Sequence, residues 1–191
     1  MKILIFTCFI GFALSCKMTP IPKVVLRSVD CENICIILDS VYEQDQKIRK
    51  EETDFYEFVK KDHENLERVV SIIENCKFPS LNEVSQNQMD AIWLSLHHAP
   101  DKQYVKKYFP LLKNAKNNGD ISGEAFATIQ DRILMDDGEP QLYGTQVEDG
   151  KLYDLYEPEF VNQRRKTLGM EPIEEYLKFY NIEFSIPQKT K

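Results

Sequence analysis

The sequence predicts a mainly α protein: a single helical domain of about five to seven helices, with one small β-hairpin near the C-terminal third. Two patterns predict this architecture. Apolar residues recur at spacings of three and four between residues 30 and 133, which is the period of a helix that buries one face. Between residues 143 and 156 this period is lost, and Asp149-Gly150 separates two short segments, as in a tight hairpin turn.

The helices are placed by their apolar stripes and by residues typical of helix ends. The first helix starts near Asp30, the second starts at Thr53 with Asp54, and the fifth starts at Ser122. The third runs from about Gln86 to His98, and the fourth runs from Asp101 to Gly119. Serine, threonine and aspartate side chains accept hydrogen bonds from the free N–H groups of a first turn, and glycine suits the position after a last turn. Because proline suits a first helical position, two shorter helices are predicted from Pro158 to Gly169 and from Pro172 to Tyr180.

The hairpin consists of residues 143–147 and 151–156. A lone two-stranded hairpin is marginal in water, so this one must pack on the helices. The five apolar stripes are sufficient for one core. The domain is therefore expected to span residues 30–184, followed by a C-terminal tail at 185–191.

The N-terminus has the pattern of a secretory signal. Lys2 precedes an apolar run over residues 3–14, which is shorter than the about 20 residues that a membrane-spanning helix needs. The run ends in Ala-Leu-Ser-Cys16, which resembles the lipobox of bacterial lipoproteins. We predict a lipoprotein signal peptide at residues 1–15 and a lipidated Cys16; a plain cleaved signal or a short anchor are the alternatives.

Residues 16–29 hold two prolines and no helical period, so they are predicted to be a lipidated tether. The expected location is the cell envelope, with the domain held at a membrane by acyl chains on Cys16 and facing the periplasm or the cell exterior. Removal of residues 1–15 takes away one lysine and no acid, so the net charge changes from −7 to −8. Such an acidic chain has no footprint for nucleic acid.

Three cysteines remain beyond the signal and the lipidated position: Cys31, Cys35 and Cys76. The sequence favours three small core residues. The alternative is one disulfide between Cys76 and either Cys31 or Cys35, formed in an oxidising envelope. No second cysteine pair and no histidine stands at metal-ligand spacing, so no metal site is expected, and no cofactor is predicted.

Several polar residues interrupt the apolar stripes. Asp45 lies between two buried positions of the first helix, and Arg49 follows it by one turn, which predicts an ion pair. Asp62 and Asn65 interrupt the second helix and are expected to hold backbone groups or an arginine. Successive helix positions diverge by about 100°, so only one side chain of the His97-His98 pair is expected to face inward.

The segments DRILMDDGEPQLYGTQ and VNQRRKTLGMEPIEEY resemble a bacterial family known only as domain of unknown function 6624. The residues that match its pattern here are Asp131, Arg132, Gly138, Gln141, Tyr143, Gly144, Thr145, Gln146, Arg164, Arg165, Leu168, Gly169, Pro172, Glu175 and Tyr176. Upstream matches are Asp45 with Arg49, Asp62 with Asn65, and His98 with Ala99. The resemblance covers residues 38 to about 177 and favours His98 as the inward histidine. Two positions depart from the family pattern: His97 replaces its glutamine, and Pro100 replaces its aspartate.

The family implies no established activity, so the function is predicted from the polar residues. The candidate catalytic residues are His98, Asp62 and Arg132, and the candidate binding residues are Asn65, Gln141, Tyr143, Gln146, Arg164 and Arg165. These groups either line a polar pocket or form a buried hydrogen-bond network that holds the hairpin to the helices. We expect an envelope lipoprotein that binds a small ligand or an envelope protein. The alternative is a hydrolase-like enzyme with His98 as general base, oriented by Asp62, and Arg132 facing negative charge.

Overall fold

The computed structural model describes residues 23–51 and 53–190, and in this part the chain is mainly α-helical. The elements are α1 (Ile34–Ile48), α2 (Phe55–Cys76), α3 (Gln86–His97), α4 (Gln103–Asn118), α5 (Gly123–Asp136), β1 (Val147–Glu148), β2 (Lys151–Leu152), α6 (Val161–Thr167) and α7 (Ile173–Lys178). The mainly α prediction with one small hairpin is therefore confirmed. In the described ranges, no helix is both long enough and apolar enough to cross a membrane.

Side-chain caps explain why the long helices start where they do. Asp54 accepts hydrogen bonds from the N–H groups of Tyr56 and Glu57 at the start of α2. Ser85 and Gln88 form a capping box at the start of α3. Ser122 caps α5 through the N–H group of Ala125.

The main core lies between α1, α2, α3, α4 and α5. Helix α1 packs against both α2 and α3, and α4 packs against α5. The largest fully buried apolar side chains of this core are Leu38, Leu66, Ile72, Met89, Ile92, Leu96, Leu112 and Ile129. These residues belong to the apolar stripes, because residues three and four apart face the same side of a helix.

A second, smaller core lies outside the one that the five apolar stripes form. Val161, Ile173 and Leu177 form its buried centre on α6 and α7. Val147 and Leu152 of the hairpin pack against this centre. The hairpin is thus supported by the last two helices, because the chain after α5 is long enough to build a separate apolar cluster.

The hairpin is shorter than predicted, with two residues in each strand. Its turn is as expected: Asp149 and Gly150 have φ angles of 49° and 72°. Residues 143–146 are not a strand. The backbone N–H groups of Tyr143 and Thr145 donate to a buried side chain instead of to a neighbouring strand.

Two features tie the N-terminal segment to α2. Residues 23–29 of the predicted tether lie along this helix: the N–H groups of Val25 and Arg27 donate to Glu67 and Ser71 at 2.9 and 3.0 Å. Cys31 forms a disulfide with Cys76, with their Cα atoms 5.5 Å apart. The expectation of three unlinked cysteines is therefore wrong, because packing brings the start of the first helix to the end of the second. The signal peptide, Cys16 and tether residues 16–22 lie outside the described residues.

The predicted C-terminal tail contacts the start of α6. Gln188 accepts a hydrogen bond from the N–H group of Asn162 at 3.1 Å and donates to the carbonyl of Pro158 at 3.0 Å. The backbone N–H of Lys189 donates to the carbonyl of Glu159 at 2.7 Å. Residues 185–190 therefore continue the packing of the domain.

Candidate functional site

Two buried aspartates share one arginine where α1 meets α2. Arg49 Nη2 lies 2.8 Å from Asp45 Oδ1 and 2.8 Å from Asp62 Oδ1. The predicted pair of Asp45 and Arg49 is confirmed, and Asp62 holds an arginine as expected. An unpaired buried carboxylate is very costly, so Arg49 is the group that allows both acids to lie inside the protein.

His98 contacts the same pair of acids. Its Nδ1 lies 3.0 Å from Asp45 Oδ1, so Asp45, and not Asp62, is the carboxylate that orients the ring. A carboxylate can only accept, so Nδ1 carries the hydrogen and the neutral ring has its lone pair on Nε2. Within the described residues, no hydrogen bond to Nε2 is found. We refer to Asp45, Arg49, Asp62, Asn65 and His98 as the His98 cluster.

The environments of the two aspartates move their pKa values in opposite directions. Burial acts to raise the pKa of Asp45, but the hydrogen bond from His98 and the charges of His98 and Arg49 outweigh it, so this pKa lies below its usual value. Burial dominates at Asp62 and raises its pKa, although Arg49 opposes the change. Neighbouring acids with divergent pKa values are typical of functional sites, and structural ion-pair networks also produce them.

Asn65 is the most unusual residue of the cluster. It lies one turn after Asp62 on the buried face of α2 and is 1% exposed. Neither Oδ1 nor Nδ2 of its side chain has a hydrogen-bond partner among the described residues. A buried carboxamide without partners costs free energy, about 1–3 kcal/mol for each unsatisfied group. The predicted bond from Asn65 to a backbone group or an arginine is therefore absent.

Two further side chains on α3 and α5 have buried polar atoms. His97 Nδ1 and Arg132 Nε are buried without a hydrogen-bond partner among the described residues. Burial lowers the pKa of His97 to about 3, and the charges of His98, Arg132, Lys102 and Arg49 contribute, so His97 is neutral at physiological pH.

Both histidines lie partly inside the protein, which corrects the expectation that only one faces inward. Their ring centroids are 5.0 Å apart, and both side chains are half-buried. His98 is the C-cap residue of α3. The rotation of about 100° per residue holds inside a helix. It does not fix the direction of the His98 side chain, because His98 lies beyond the last helical residue.

Two carboxylates and one imidazole of the cluster lie at distances that a metal site would need. One ligand atom from each of Asp45, Asp62 and His98 lies within 4.8 Å of the others. The guanidinium of Arg49, however, lies 2.8 Å from the Oδ1 atoms of both acids and supplies the positive charge there. The expectation of no metal stays a prediction.

The family motif in the loop after α5 is held by one buried acid. Asp131 is fully buried and accepts hydrogen bonds from the N–H groups of Leu142, Tyr143 and Thr145 at 2.8–3.1 Å and from the Thr145 hydroxyl at 2.9 Å. Burial raises the pKa of Asp131, and these hydrogen bonds act against it. Asp131 therefore determines the path of the loop.

Gln141 closes the loop on itself. Its Nε2 donates to the carbonyls of Gln146 and Tyr153, and its Oε1 accepts from the N–H group of Gln146 at 2.8 Å. Gly144 has a φ of 73°, and a Cβ atom there would lie 2.4 Å from Ile173 Cδ1. The loop thus needs glycine for both its conformation and its packing.

The two arginines of the motif also bind backbone groups of this loop. Arg164 Nε donates to the carbonyl of Leu142 at 2.6 Å, and Arg165 Nη1 donates to the carbonyl of Tyr143 at 2.8 Å. No contact of Gln141, Arg164 or Arg165 with His98 is found in the described residues. These three predicted binding residues, and the backbone of Tyr143, form a hydrogen-bond network rather than one pocket with His98.

The side chain of Gln146 connects the motif loop to α5. Its Oε1 accepts from Arg132 Nη1 at 3.4 Å, and its Nε2 donates to the carbonyl of Thr128 at 3.2 Å. Of the predicted site residues, the structure links His98 and Asp62 through Asp45 and Arg49, with Asn65 one turn after Asp62. Arg132 contacts Gln146 instead.

The comparison with protein families gives one match, and it covers both groups of polar residues. The model of one family, described as a family of unknown function (DUF6624), matches residues 37–189. The chain belongs to this family. The match includes the His98 cluster and the motif loop of DUF6624, and it extends the expected resemblance into the tail, as far as residue 189. Neither the curated proteins nor the solved structures contain a match.

The two departures from the DUF6624 pattern do not remove the partner of His98. The family aspartate is replaced by Pro100 here, but the carboxylate that binds His98 comes from α1. Sequence reasoning missed this role of Asp45, which is 53 residues from His98.

Proposed function

We propose that this member of DUF6624 is a cell-envelope lipoprotein whose helical domain binds a small polar ligand at the His98 cluster. The observation that carries the proposal is the buried carboxamide of Asn65, which has no hydrogen-bond partner among the described residues although Asp62, one turn earlier, is bound to Arg49. Buried polar groups are normally paired with protein, water or ligand, so an unpaired amide marks a place where a polar partner binds.

The proposal predicts that Asn65→Leu leaves the ligand-free protein as stable as the wild type, or raises its free energy of unfolding by about 1–3 kcal/mol. The reason is that leucine removes two unsatisfied polar groups while it fills a similar volume. A screen of envelope metabolites, glycans and peptides by thermal melting should find a compound that stabilises the wild type. The same compound should not stabilise Asn65→Leu.

Asn75→Ala is the matched control. Asn75 lies on the same helix, but its Nδ2 donates to the carbonyls of Arg27 and Ser71. This variant is expected to lose stability and to keep its response to the compound. A clear loss of ligand-free stability in Asn65→Leu would instead mean that Asn65 has a structural partner, and the proposal would fail.

The envelope part of the proposal rests on the lipobox-like segment that ends at Cys16. Cys16→Ala is expected to move the protein from the membrane fraction to the soluble fraction, because the acyl chains supply the attachment. Fractionation of the full chain, with labelled fatty acid as a second readout, measures this. Unchanged membrane attachment together with absent labelling of the wild type would rule out lipidation as the anchor.

A second candidate function, a hydrolase-like enzyme, is favoured by the geometry of His98. Its Nδ1 is bound to Asp45, and Nε2 is the basic nitrogen, which is the arrangement of a general base. In this reaction Asp45 would orient the ring and Arg132 would face developing negative charge. Turnover of chromogenic esters or phosphoesters that is lost in His98→Gln would support it. A complete lack of turnover over such a panel would leave ligand binding as the function.

A further inference from the structure

Two aromatic side chains project into solvent at the start of α2. Phe55 is the first residue of this helix and is 82% exposed, and Tyr56 beside it is 69% exposed. Phe58, three residues further on, is half-buried under the guanidinium of Arg49, with 4.9 Å between Arg49 Cζ and the ring centre. The fold thus covers one ring of this turn and leaves two in water, where large apolar surface is unfavourable.

The N-terminal segment runs along α2 in the same direction as the helix. The N–H group of Val25 donates to Glu67, and the N–H group of Arg27 donates to Ser71, one turn later. The carbonyl of Arg27 accepts from Asn75 after one further turn. Because successive residues of the segment meet successive turns of α2, the chain comes to residue 25 from the side on which α2 starts.

Cys16 is close enough along the chain to lie at that end. Cys16 and Val25 are nine positions apart, and such a length of chain reaches up to about 30 Å when extended. Phe55 and Glu67 are twelve positions apart on α2, which is about 18 Å of helix. A lipid anchor on Cys16 therefore allows the start of α2 to touch the membrane that holds the anchor.

The charged residues around the two rings pair with one another. Lys60 lies 3.3 Å from Glu57, and Lys47 lies 3.9 Å from Glu51. Because these charges are balanced in pairs, membrane contact at this end depends on the aromatic rings rather than on attraction to anionic headgroups. Aromatic side chains favour the interface between lipid and water, where the ring is in contact with lipid and a tyrosine hydroxyl reaches water.

We infer that Phe55 and Tyr56 insert into the interface of the membrane that holds Cys16, so that the start of α2 faces the lipid. This inference rests on the proposed lipidation of Cys16. The occupant of the exposed rings is a phospholipid bilayer, because the chain that leads to the anchor comes from the same end of α2. The anchor keeps the rings at a high effective concentration near the surface, so a small apolar contact is sufficient.

The test uses the full lipidated chain in phosphatidylcholine vesicles whose acyl chains carry bromine, a quencher of tryptophan fluorescence. Phe55→Trp introduces a reporter at an exposed position, so the fold is retained. The wild type, whose one tryptophan is Trp93, gives the background. The introduced tryptophan is expected to lose most of its emission in brominated vesicles relative to plain phosphatidylcholine vesicles.

Ile36→Trp is the matched control. Ile36 is 70% exposed and lies in the first turn of α1. The disulfide between Cys31 and Cys76 holds the start of α1 at the opposite end of α2 from Phe55. The control should keep its emission in brominated vesicles, because that end of the domain faces away from the lipid.

Four outcomes would overturn the inference, and they separate it from the proposed lipidation. Unquenched emission of Phe55→Trp on vesicle-bound protein would mean that the rings stay in water while the anchor stands. An unquenched emission that moves to shorter wavelength as the protein concentration rises would mean that a second copy covers the rings. Equal quenching of Phe55→Trp and Ile36→Trp would mean that the domain has no fixed orientation. A wild-type chain without lipid that does not bind vesicles would make both proposals wrong.

Discussion

Replacement of Arg49 by methionine is expected to lower the free energy of unfolding by about 3–5 kcal/mol at pH 7. Arg49 is the common partner of Asp45 and Asp62, each at 2.8 Å, and both acids are almost fully buried. The variant leaves two buried carboxylates without their arginine, and the half-buried His98 contacts Asp45 alone of the two. Urea denaturation followed by far-UV circular dichroism measures the change.

The loss in Arg49→Met should become smaller as the pH falls. Without the guanidinium, the buried acids have pKa values raised above those of the unfolded chain, so the native state binds more protons than the unfolded state. Stability of the variant then rises as the pH is lowered from about 7 to about 5. In the wild type Asp45 has a lowered pKa, so its contribution is present above its unfolded pKa and is lost as the pH falls through the folded value.

Arg68→Met is the control for Arg49→Met. Arg68 also lies on the surface between α1 and α2, but it donates only to the neutral groups of Ser40 and Gln44, at 3.3 and 3.4 Å. It is expected to cost less than about 1 kcal/mol and to show no such pH dependence. Equal, small losses in both variants would mean that the two aspartates are solvated, contrary to the structure.

Replacement of Asp131 by alanine is expected to cost about 3–5 kcal/mol as well. Asp131 accepts from three backbone N–H groups and one hydroxyl of the motif loop, and it has no exposed surface. Its removal leaves those donors without acceptors, each at a cost of about 1–3 kcal/mol before relaxation. The loop should loosen first, so hydrogen exchange at Leu142, Tyr143 and Thr145 should accelerate more than exchange in α2.

Asp137→Ala is the control for this variant. Asp137 lies at the end of the same helix, is exposed, and pairs with Lys106 on the surface. Its loss should be below about 1 kcal/mol. A loss of that size in Asp131→Ala, with unchanged exchange in the loop, would show that other contacts hold the motif.

The motif loop shows how far a family pattern can be interpreted without a structure. The pattern correctly marks residues that act together, because Asp131, Gln141, Thr145 and Arg165 all belong to one network. It does not distinguish residues that bind a ligand from residues that bind the backbone. Amide, carboxylate and guanidinium groups serve both purposes with the same donors and acceptors.

The sequence by itself determined the features that depend on neighbours along the chain. The apolar stripes, the caps at Asp54 and Ser122, the turn at Asp149 and the pair of Asp45 with Arg49 involve residues at most four apart. Local geometry sets these contacts, so spacing alone is sufficient to predict them.

Only the tertiary structure decided the contacts between distant segments. Asp45 meets His98 across 53 residues, and Cys31 meets Cys76 across 45. It also decided that the hairpin packs on α6 and α7. Many arrangements of the same helices bury their apolar stripes about equally well, and only the packing that is formed selects which polar residues meet between them.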